Sequence, residues 1–213
     1  MTSIMTDEPP SRQLVYAAAK RAFDAAAAAV GLILLGPVLA AAAIAIRLDS
    51  PGSVFFAQQR VGRDFQPFRI YKFRTMTADA DRRGGLITAG ADPRITRVGR
   101  WLRKTKIDEL PQLFNVLVGE MSLVGPRPEV PKFVEMFHDD YRVILSVRPG
   151  LTDPASVKYR DEATMLASSA NPEQEYVDRI LPDKIAIARS YLARASFAGD
   201  LAILARTLLR IAR

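Results

Sequence analysis

Two adjacent carboxylates, Asp108 and Glu109, are the residues of this chain best suited by type and setting to do chemistry. They follow Arg103, Lys104 and Lys106 and precede an apolar run. In that run Leu110, Leu113, Phe114 and Leu117 fall at i, i+3, i+4 and i+7, the stripe of an amphipathic helix. Pro111 suits the first turn of such a helix, so the spacing predicts Asp108 as N-cap and Glu109 at the first helical position. Gly119 is placed to end the helix. A cap that offsets basic neighbours would explain the pair with no further role. Downstream, Gly125-Pro126-Arg127-Pro128 holds one arginine between two prolines. A guanidinium presented with so little conformational freedom suits bidentate phosphate binding, and an exposed turn arginine is the plain alternative.

Composition narrows the chemistry. The 213 residues carry a net charge of +7 with a pI near 9.9, which calls for an anionic partner. Cysteine is absent, so thiolate chemistry and disulfides are excluded. His138 is the only histidine, which argues against a multi-histidine metal site or a Ser-His-Asp triad. Any metal must be held by oxygen, pointing to Mg²⁺.

Other elements must position these groups. Residues 1–10 read as a flexible tail and 11–24 as helix. Residues 25–46 then run without a charge and include ten alanines. A straight helix of that length reaches about 33 Å, enough to cross a bilayer. Gly36-Pro37 at its middle and basic residues on both sides instead favour re-entry, a helix-break-helix that returns to the same face. An ordinary span or a buried helix are the alternatives. The whole positive excess lies after this segment, because the charges of residues 1–46 cancel. Between Gln58 and Lys106, thirteen Lys and Arg face four Asp, interleaved with aromatics. Such a stretch suits anionic headgroups or, as a competing reading, nucleic acid. Residues 79–96 read as a surface loop, 131–145 as a helix, and 183–213 as one cationic amphipathic helix suited to a membrane interface. The organisation is a tail (1–10), a membrane helix (11–48) and one catalytic unit (49–213). The fold class is mainly α with a few short strands.

Several ordered segments together resemble the bacterial sugar transferase family, the monotopic phosphoglycosyl transferases. They are Lys20-Arg21-Ala22-Phe23-Asp24, Tyr71-Lys72-Phe73-Arg74-Thr75-Met76, the run from Ile107 to Val116, the run from Met121 to Pro128, and Arg148-Pro149-Gly150-Leu151-Thr152. The resemblance implies a re-entrant membrane helix broken at Gly36 and Pro37 and a compact domain on the cytoplasmic face of the bacterial inner membrane. It implies transfer of a sugar 1-phosphate from a UDP-sugar to polyprenyl (undecaprenyl) phosphate with release of UMP. Such a step initiates membrane-linked glycan assembly, as in exopolysaccharide, O-antigen, capsule or glycoprotein. Asp108 would be the nucleophile and Glu109 its partner at Mg²⁺, both serving as metal ligands. Arg127, flanked by Pro126 and Pro128, would hold phosphate, and Arg103 would lie toward the lipid. Lys72, Arg74 and Arg148 complete the implied substrate-binding set.

A helix N-terminus and nearby cations favour an ionised carboxylate, the form that attacks phosphorus. Two departures from the family pattern stand out. The helix break reads Gly36-Pro37 rather than Ser-Pro, and Asp153-Pro154-Ala155-Ser156 replaces the frequent Gly-Trp-Ala-Gln. The second leaves the sugar open. Membrane lipids are expected partners, nucleic acid is not, and surface apolar residues leave a homodimer open. The reading from another class is a membrane-tethered cationic protein that binds nucleic acid or lipid.

Overall fold

The uncharged run lies within one 40-residue helix, α1 (Pro10–Asp49), in a computed structural model that describes residues 10–80, 85, 87–90 and 92–211. The tail, save Pro10, and part of the 79–96 loop lie outside the described residues. The expected helix-break-helix is not found: α1 continues through Gly36 and Pro37. Pro37 removes one backbone bond, and the helix is packed on both sides of it. Leu32 and Leu35 join one apolar cluster, and Leu39 and Ala43 join the next.

From Tyr16 to Asp49 one stripe of α1 lies on the rest of the protein. At the N-terminal end Arg21 donates to the carbonyls of Val116 and Leu117 (2.6 and 2.7 Å). Buried Asp24 accepts from Ser122 Oγ (2.7 Å) and from the Leu123 N–H (3.2 Å). At the other end Ala42 and Ile46 pack with Phe73 and Leu102, and Asp49 accepts from the Val98 N–H (2.9 Å). The opposite face is apolar and bare, with Ile33 76% and Leu34 73% exposed.

A hairpin follows. Strand β1 (Phe55–Val61) pairs antiparallel with β2 (Pro67–Phe73), Phe55 opposite Phe73 and Val61 opposite Pro67. Phe68 and Ile70 of β2 are buried, and strand alternation places Lys72 on their face, directed inward. Helix α2 (Arg97–Thr105) is capped by Thr96, whose Oγ1 accepts from the Gly99 N–H (3.0 Å). Lys106 then takes a left-handed conformation (φ 59°) and turns the chain into a short 3₁₀ segment (Ile107–Glu109), followed by α3 (Gln112–Val118). Gly119 (φ +91°) ends α3 as expected, its N–H donating to the Asn115 and Val116 carbonyls. Asn115 fastens α3 to the hairpin: its Nδ2 donates to the Arg69 carbonyl (2.7 Å), and its Oδ1 accepts from the Tyr71 N–H (3.1 Å).

Strand β3 (Ser122–Val124) pairs in parallel with β4 (Gly150–Thr152). Just past this pair Gly125 and Gly150 meet backbone to backbone, and a Cβ on Gly150 would lie 2.1 Å from the Gly125 nitrogen. No other residue type fits there, which explains why both glycines flank the arginine-bearing loop. The helix expected over 131–145 is two, α4 (Pro131–Met136) and α5 (His138–Ile144), divided at Phe137. His138 stacks on Phe65 with centroids 4.9 Å apart. After β4 come α6 (Pro154–Lys158), α7 (Glu162–Met165) and α8 (Pro172–Glu175), then a π-turn and α9 (Leu181–Ala193).

The single terminal helix expected over 183–213 is likewise two. After α9 the chain turns, and Ser196 Oγ accepts from the Gly199 N–H (3.1 Å) at the start of α10 (Phe197–Ile211). The turn delivers buried Asp200 to Lys20 (2.6 Å), Tyr16 (3.1 Å) and Tyr191 (2.7 Å), pinning α10 to α1. Such a contact is invisible to helical periodicity. Arg213 lies outside the described residues.

Candidate functional site

Asp108 sits in the 3₁₀ segment rather than capping α3. Its side chain makes no capping bond, it is 7% exposed, and its Oδ1 is buried without a hydrogen-bond partner. Burial, with Glu109 adding to it, pushes the Asp108 carboxyl up to about 6; Lys72, Lys106 and Arg103 oppose the rise. The expectation of a carboxylate held firmly ionised by a helix N-terminus is therefore revised. Desolvation outweighs the cations, and Asp108 is ionised only above about pH 6.

Glu109 is arranged the opposite way. Arg127 grips both its oxygens, Nη1 donating to Oε2 at 3.0 Å and Nη2 to Oε1, while Lys72 Nζ donates to Oε1 at 3.2 Å. Burial would raise this carboxyl, but Arg127 and Lys72 together hold it well below the usual carboxylate range. Burial also draws the Lys72 ammonium down. Two neighbouring carboxylates thus have opposite characters: one solvent-starved and unpartnered, the other permanently charged and clamped.

The flanking prolines predict an Arg127 presented with little conformational freedom toward a phosphate. Here it is paired with Glu109, and its backbone is tied as well: the Arg127 N–H donates to Asp153 Oδ2 (3.3 Å). The same Asp153 caps α6 through the Ser156 N–H (2.6 Å). Asp153, a departure from the family pattern, therefore positions the arginine loop. Pro126, Arg127, Pro128, Lys72, Arg103, Asp108 and Glu109 all line one cavity of about 1440 Å³. Arg103 reaches it with Nε donating to Thr75 Oγ1 (2.9 Å).

Two members of the expected set have other roles. Arg74 borders the cavity, but its guanidinium is spent on the carbonyls of Ser50 (2.7 Å) and Pro51, closing the turn after α1. Arg148 is not brought to this cavity. Its Nε donates to the Gly119 carbonyl (2.8 Å), beyond the C-terminus of α3, beside a separate surface hollow. Both act through contacts distant in sequence, which motif spacing cannot reveal. Spacing also gives no sign that Tyr159, Tyr176 and Lys184 line the same cavity. Lys184 lies 4.8 Å from the Tyr176 ring centre, and the Tyr176 hydroxyl donates to Glu129 (2.6 Å).

Among the described residues of the basic stretch, Arg60 pairs with Glu129 (2.9 Å) and Arg94 with Asp92 (2.7 Å), and Phe68 and Phe73 are buried, while Phe65 and Trp101 are exposed. Among the described residues no three Asp, Glu or His side chains gather into a metal cage. The donors at hand are the free Asp108 Oδ1 and a Glu109 shared with two cations. That set suits Mg²⁺, which binds through one or two carboxylates and takes its other ligands from water and phosphate.

Residues 15–213 match the family model described as bacterial sugar transferase. The chain is 47% identical over 148 residues to a protein of Aeromonas hydrophila named UDP-N-acetylgalactosamine-undecaprenyl-phosphate N-acetylgalactosaminephosphotransferase. That alignment covers 67% of this chain and 34% of the relative. It is 41% identical over 151 residues (69% and 32% of the two chains) to the UDP-glucose:undecaprenyl-phosphate glucose-1-phosphate transferase of Escherichia coli. With an exopolysaccharide production protein of Rhizobium leguminosarum the identity is 43% over 146 residues, 65% of this chain and 73% of that one. The chain thus spans only about a third of the length of the first two relatives.

Proposed function

The chain belongs to the bacterial sugar transferase family, and from that premise we propose that it moves a sugar 1-phosphate from a UDP-sugar to undecaprenyl phosphate, releasing UMP. The observation that carries this reading is the pairing of an unpartnered buried Asp108 with a cation-clamped Glu109 at the wall of a large cavity.

The residues suggest two displacements at one phosphorus. An Asp108 oxygen attacks the β-phosphorus of the UDP-sugar, and the bond from that phosphorus to the bridging oxygen breaks. UMP leaves with the electron pair, and the sugar phosphate stays on Asp108 as an acyl phosphate ester. An oxygen of the acceptor phosphate then attacks the same phosphorus. The bond to Asp108 breaks, the carboxylate is restored, and a polyprenyl diphosphate sugar departs. Burial strips water from the Asp108 carboxylate and makes it a stronger nucleophile than in solution. Lys72 and Arg127 stand where the diphosphate must lie and offset its charge, while their hold on Glu109 keeps that side chain fixed. Mg²⁺, held by Asp108 and Glu109, would neutralise charge on the transferring and leaving phosphates.

The reaction also sets the location. Nucleotide sugars are made in the cytosol, so the site faces the cytoplasmic side of the membrane that carries the acceptor. In place of a crossing, α1 lies in one leaflet. Contacts near both its ends, Arg21 and Asp24 at one and Ile46 and Asp49 at the other, touch the same body of the protein. These contacts support one leaflet over a full span. Its bare apolar face, with exposed Leu208 and Leu209 of α10, would meet lipid. Because the chain has no cysteine, single introduced thiols report topology cleanly. Ala18→Cys and Ser146→Cys should both resist an impermeant maleimide in intact cells and both react after lysis. Labelling of Ala18→Cys alone from outside would establish a full span.

The relatives' names carry different sugars, N-acetylgalactosamine and glucose. The direct test is UMP release from a panel of UDP-sugars by membrane-embedded protein with Mg²⁺ and undecaprenyl phosphate. One or two sugars should give turnover. Retention of UMP with every sugar would overturn the reading.

A further inference from the structure

Three cation–carboxylate pairs line the cavity: Arg127 with Glu109, Arg60 with Glu129, and Lys184 with Glu162. The first two carboxylates are held from several sides. Glu109 also meets Lys72 (3.2 Å), and Glu129 accepts from the Tyr176 hydroxyl (2.6 Å) and the Val130 N–H (2.8 Å). Among the described residues the Glu162 side chain pairs with Lys184 alone. It is also the most exposed of the three, 26% against 17% for Glu109 and 14% for Glu129. We propose that Lys184 exchanges Glu162 for the α-phosphate of the bound nucleotide, the phosphate that leaves as UMP. The proposal rests on the transferase reading above and deepens it.

Lys184 is held close to the arginine loop. Its ammonium lies 4.8 Å from the Tyr176 ring centre and 5.7 Å from that of Tyr159. It is 3.5 Å from the Tyr176 hydroxyl, which donates to Glu129; Glu129 pairs with Arg60, and Arg60 Nη1 reaches the Pro128 carbonyl (3.4 Å). This line of contacts runs from Lys184 to the residue beside Arg127. The charges show the same proximity. Glu109 foremost, with Asp153 and Glu162 adding to it, raises the Arg127 guanidinium against the cost of burial, so the field of Glu162 reaches both cations. Arg127 and Lys72 take the β-phosphate beside Asp108, which leaves the adjoining phosphate of the donor for the next cation along the wall. When the bond from the β-phosphorus to the bridging oxygen breaks, its electron pair stays on that oxygen. The α-phosphate then passes from one negative charge to two, and a fixed cation beside it favours the step. Before the donor binds, Glu162 holds the ammonium in place. A carboxylate open to water loses little on release, so a phosphate displaces it. A sugar carries no charge and offers no such exchange.

Equilibrium dialysis of labelled UMP and uridine against the detergent-solubilised protein, with Mg²⁺ present, tests the exchange without turnover. Lys184→Met keeps the stem and removes the charge. It should weaken UMP binding by about tenfold or more, the usual contribution of a charge-assisted hydrogen bond. Uridine, which has no phosphate, should bind as it does to the parent. Glu162→Gln should act in the opposite direction, tightening UMP by about two- to fivefold because the ammonium is no longer shared. A purely structural ion pair would give no such gain. The double variant Lys184→Met/Glu162→Gln leaves neither charge unpaired and carries the test if Lys184→Met does not fold. It should bind UMP about tenfold more weakly than Glu162→Gln. If Glu162→Gln tightens UMP as much with Met at 184 as with Lys, the gain is general relief of repulsion and the exchange is overturned. UMP binding indifferent to Lys184, or a loss confined to UDP-sugars, would also overturn it and leave the transferase reading intact. A parent that binds neither UMP nor any UDP-sugar would overturn the transferase reading itself.

Discussion

Asp108→Asn is expected to abolish sugar phosphate transfer and at the same time to make the protein more stable. An amide cannot form the acyl phosphate, so the loss should reach at least about 10³-fold, the range seen when a nucleophile is removed. No labelled phosphosugar should remain on the chain after incubation with UDP-sugar alone. Retained transfer would end the nucleophile assignment. A base acting on the acceptor in a direct displacement would also fail in this variant, but the parent would then never carry labelled phosphosugar.

The gain in stability follows from linkage. The Asp108 carboxyl titrates near 6 in the folded protein and near 3.8 when unfolded. Between those values the unfolded state gives up its proton first, so the parent loses stability as pH rises through about 4 to 6 and recovers none above. A gap of that size between the folded and unfolded carboxyl corresponds to roughly 3 kcal/mol, and an asparagine left with its own unmet hydrogen bonds would return on the order of half of that. For a chain of this size the melting temperature should rise by about 3–6 °C at pH 7.5 in the presence of chelator. Below about pH 4, where the parent carboxyl is protonated in both states, the order should reverse, the variant keeping only the cost of its unmet amide. A variant less stable than the parent at pH 7.5 would show that Asp108 supports the fold instead of straining it.

How far the sequence reveals this site depends on the range of the forces involved. Asp108, Glu109 and Arg127 carry their chemistry in local patterns, and the structure brings all three to one cavity. Lys72 is accessible by strand alternation once Phe68 and Ile70 are taken as core. Arg74 and Arg148 resist, because a guanidinium looks identical whether it meets a phosphate or the carbonyls of a turn. Asn115 has one signal, a polar residue on the inner face of an apolar helix, and it proves to bind the hairpin to α3. Asp153 has none, since its bond to the Arg127 backbone joins residues 26 apart. At the scale of the fold, 25–46 is helical as its composition demands, but its course depends on Arg21, Asp24 and Asp49 finding partners elsewhere. The same dependence on remote partners hides the turn before α10, which Asp200 makes worthwhile.

Arg127 should prove as indispensable as Asp108, with the opposite effect on stability. In Arg127→Ala, Glu109 keeps only Lys72 and stays largely buried as an under-compensated charge. Breaking a fully buried pair from one side costs about 3–5 kcal/mol, and with the Arg127 side chain 32% exposed a value of about 2–3 kcal/mol is expected here. Urea unfolding reads it directly. Transfer should fall by about 10³-fold, since the variant loses both a phosphate partner and the anchor of Glu109. Arg127→Lys separates these roles. Lysine keeps the charge but has no planar fork to span both Glu109 oxygens, so most of the stability should return while most of the activity does not. A double-mutant cycle with Glu109→Gln then asks whether the two residues act together. If the clamp is real, the double variant should be more stable than the sum of the single losses predicts, by about 1–3 kcal/mol. Strict additivity would mean that the two residues act separately. The pair would then be two independent phosphate contacts, and the tight hold on Glu109 seen without substrate would have no part in preparing the site.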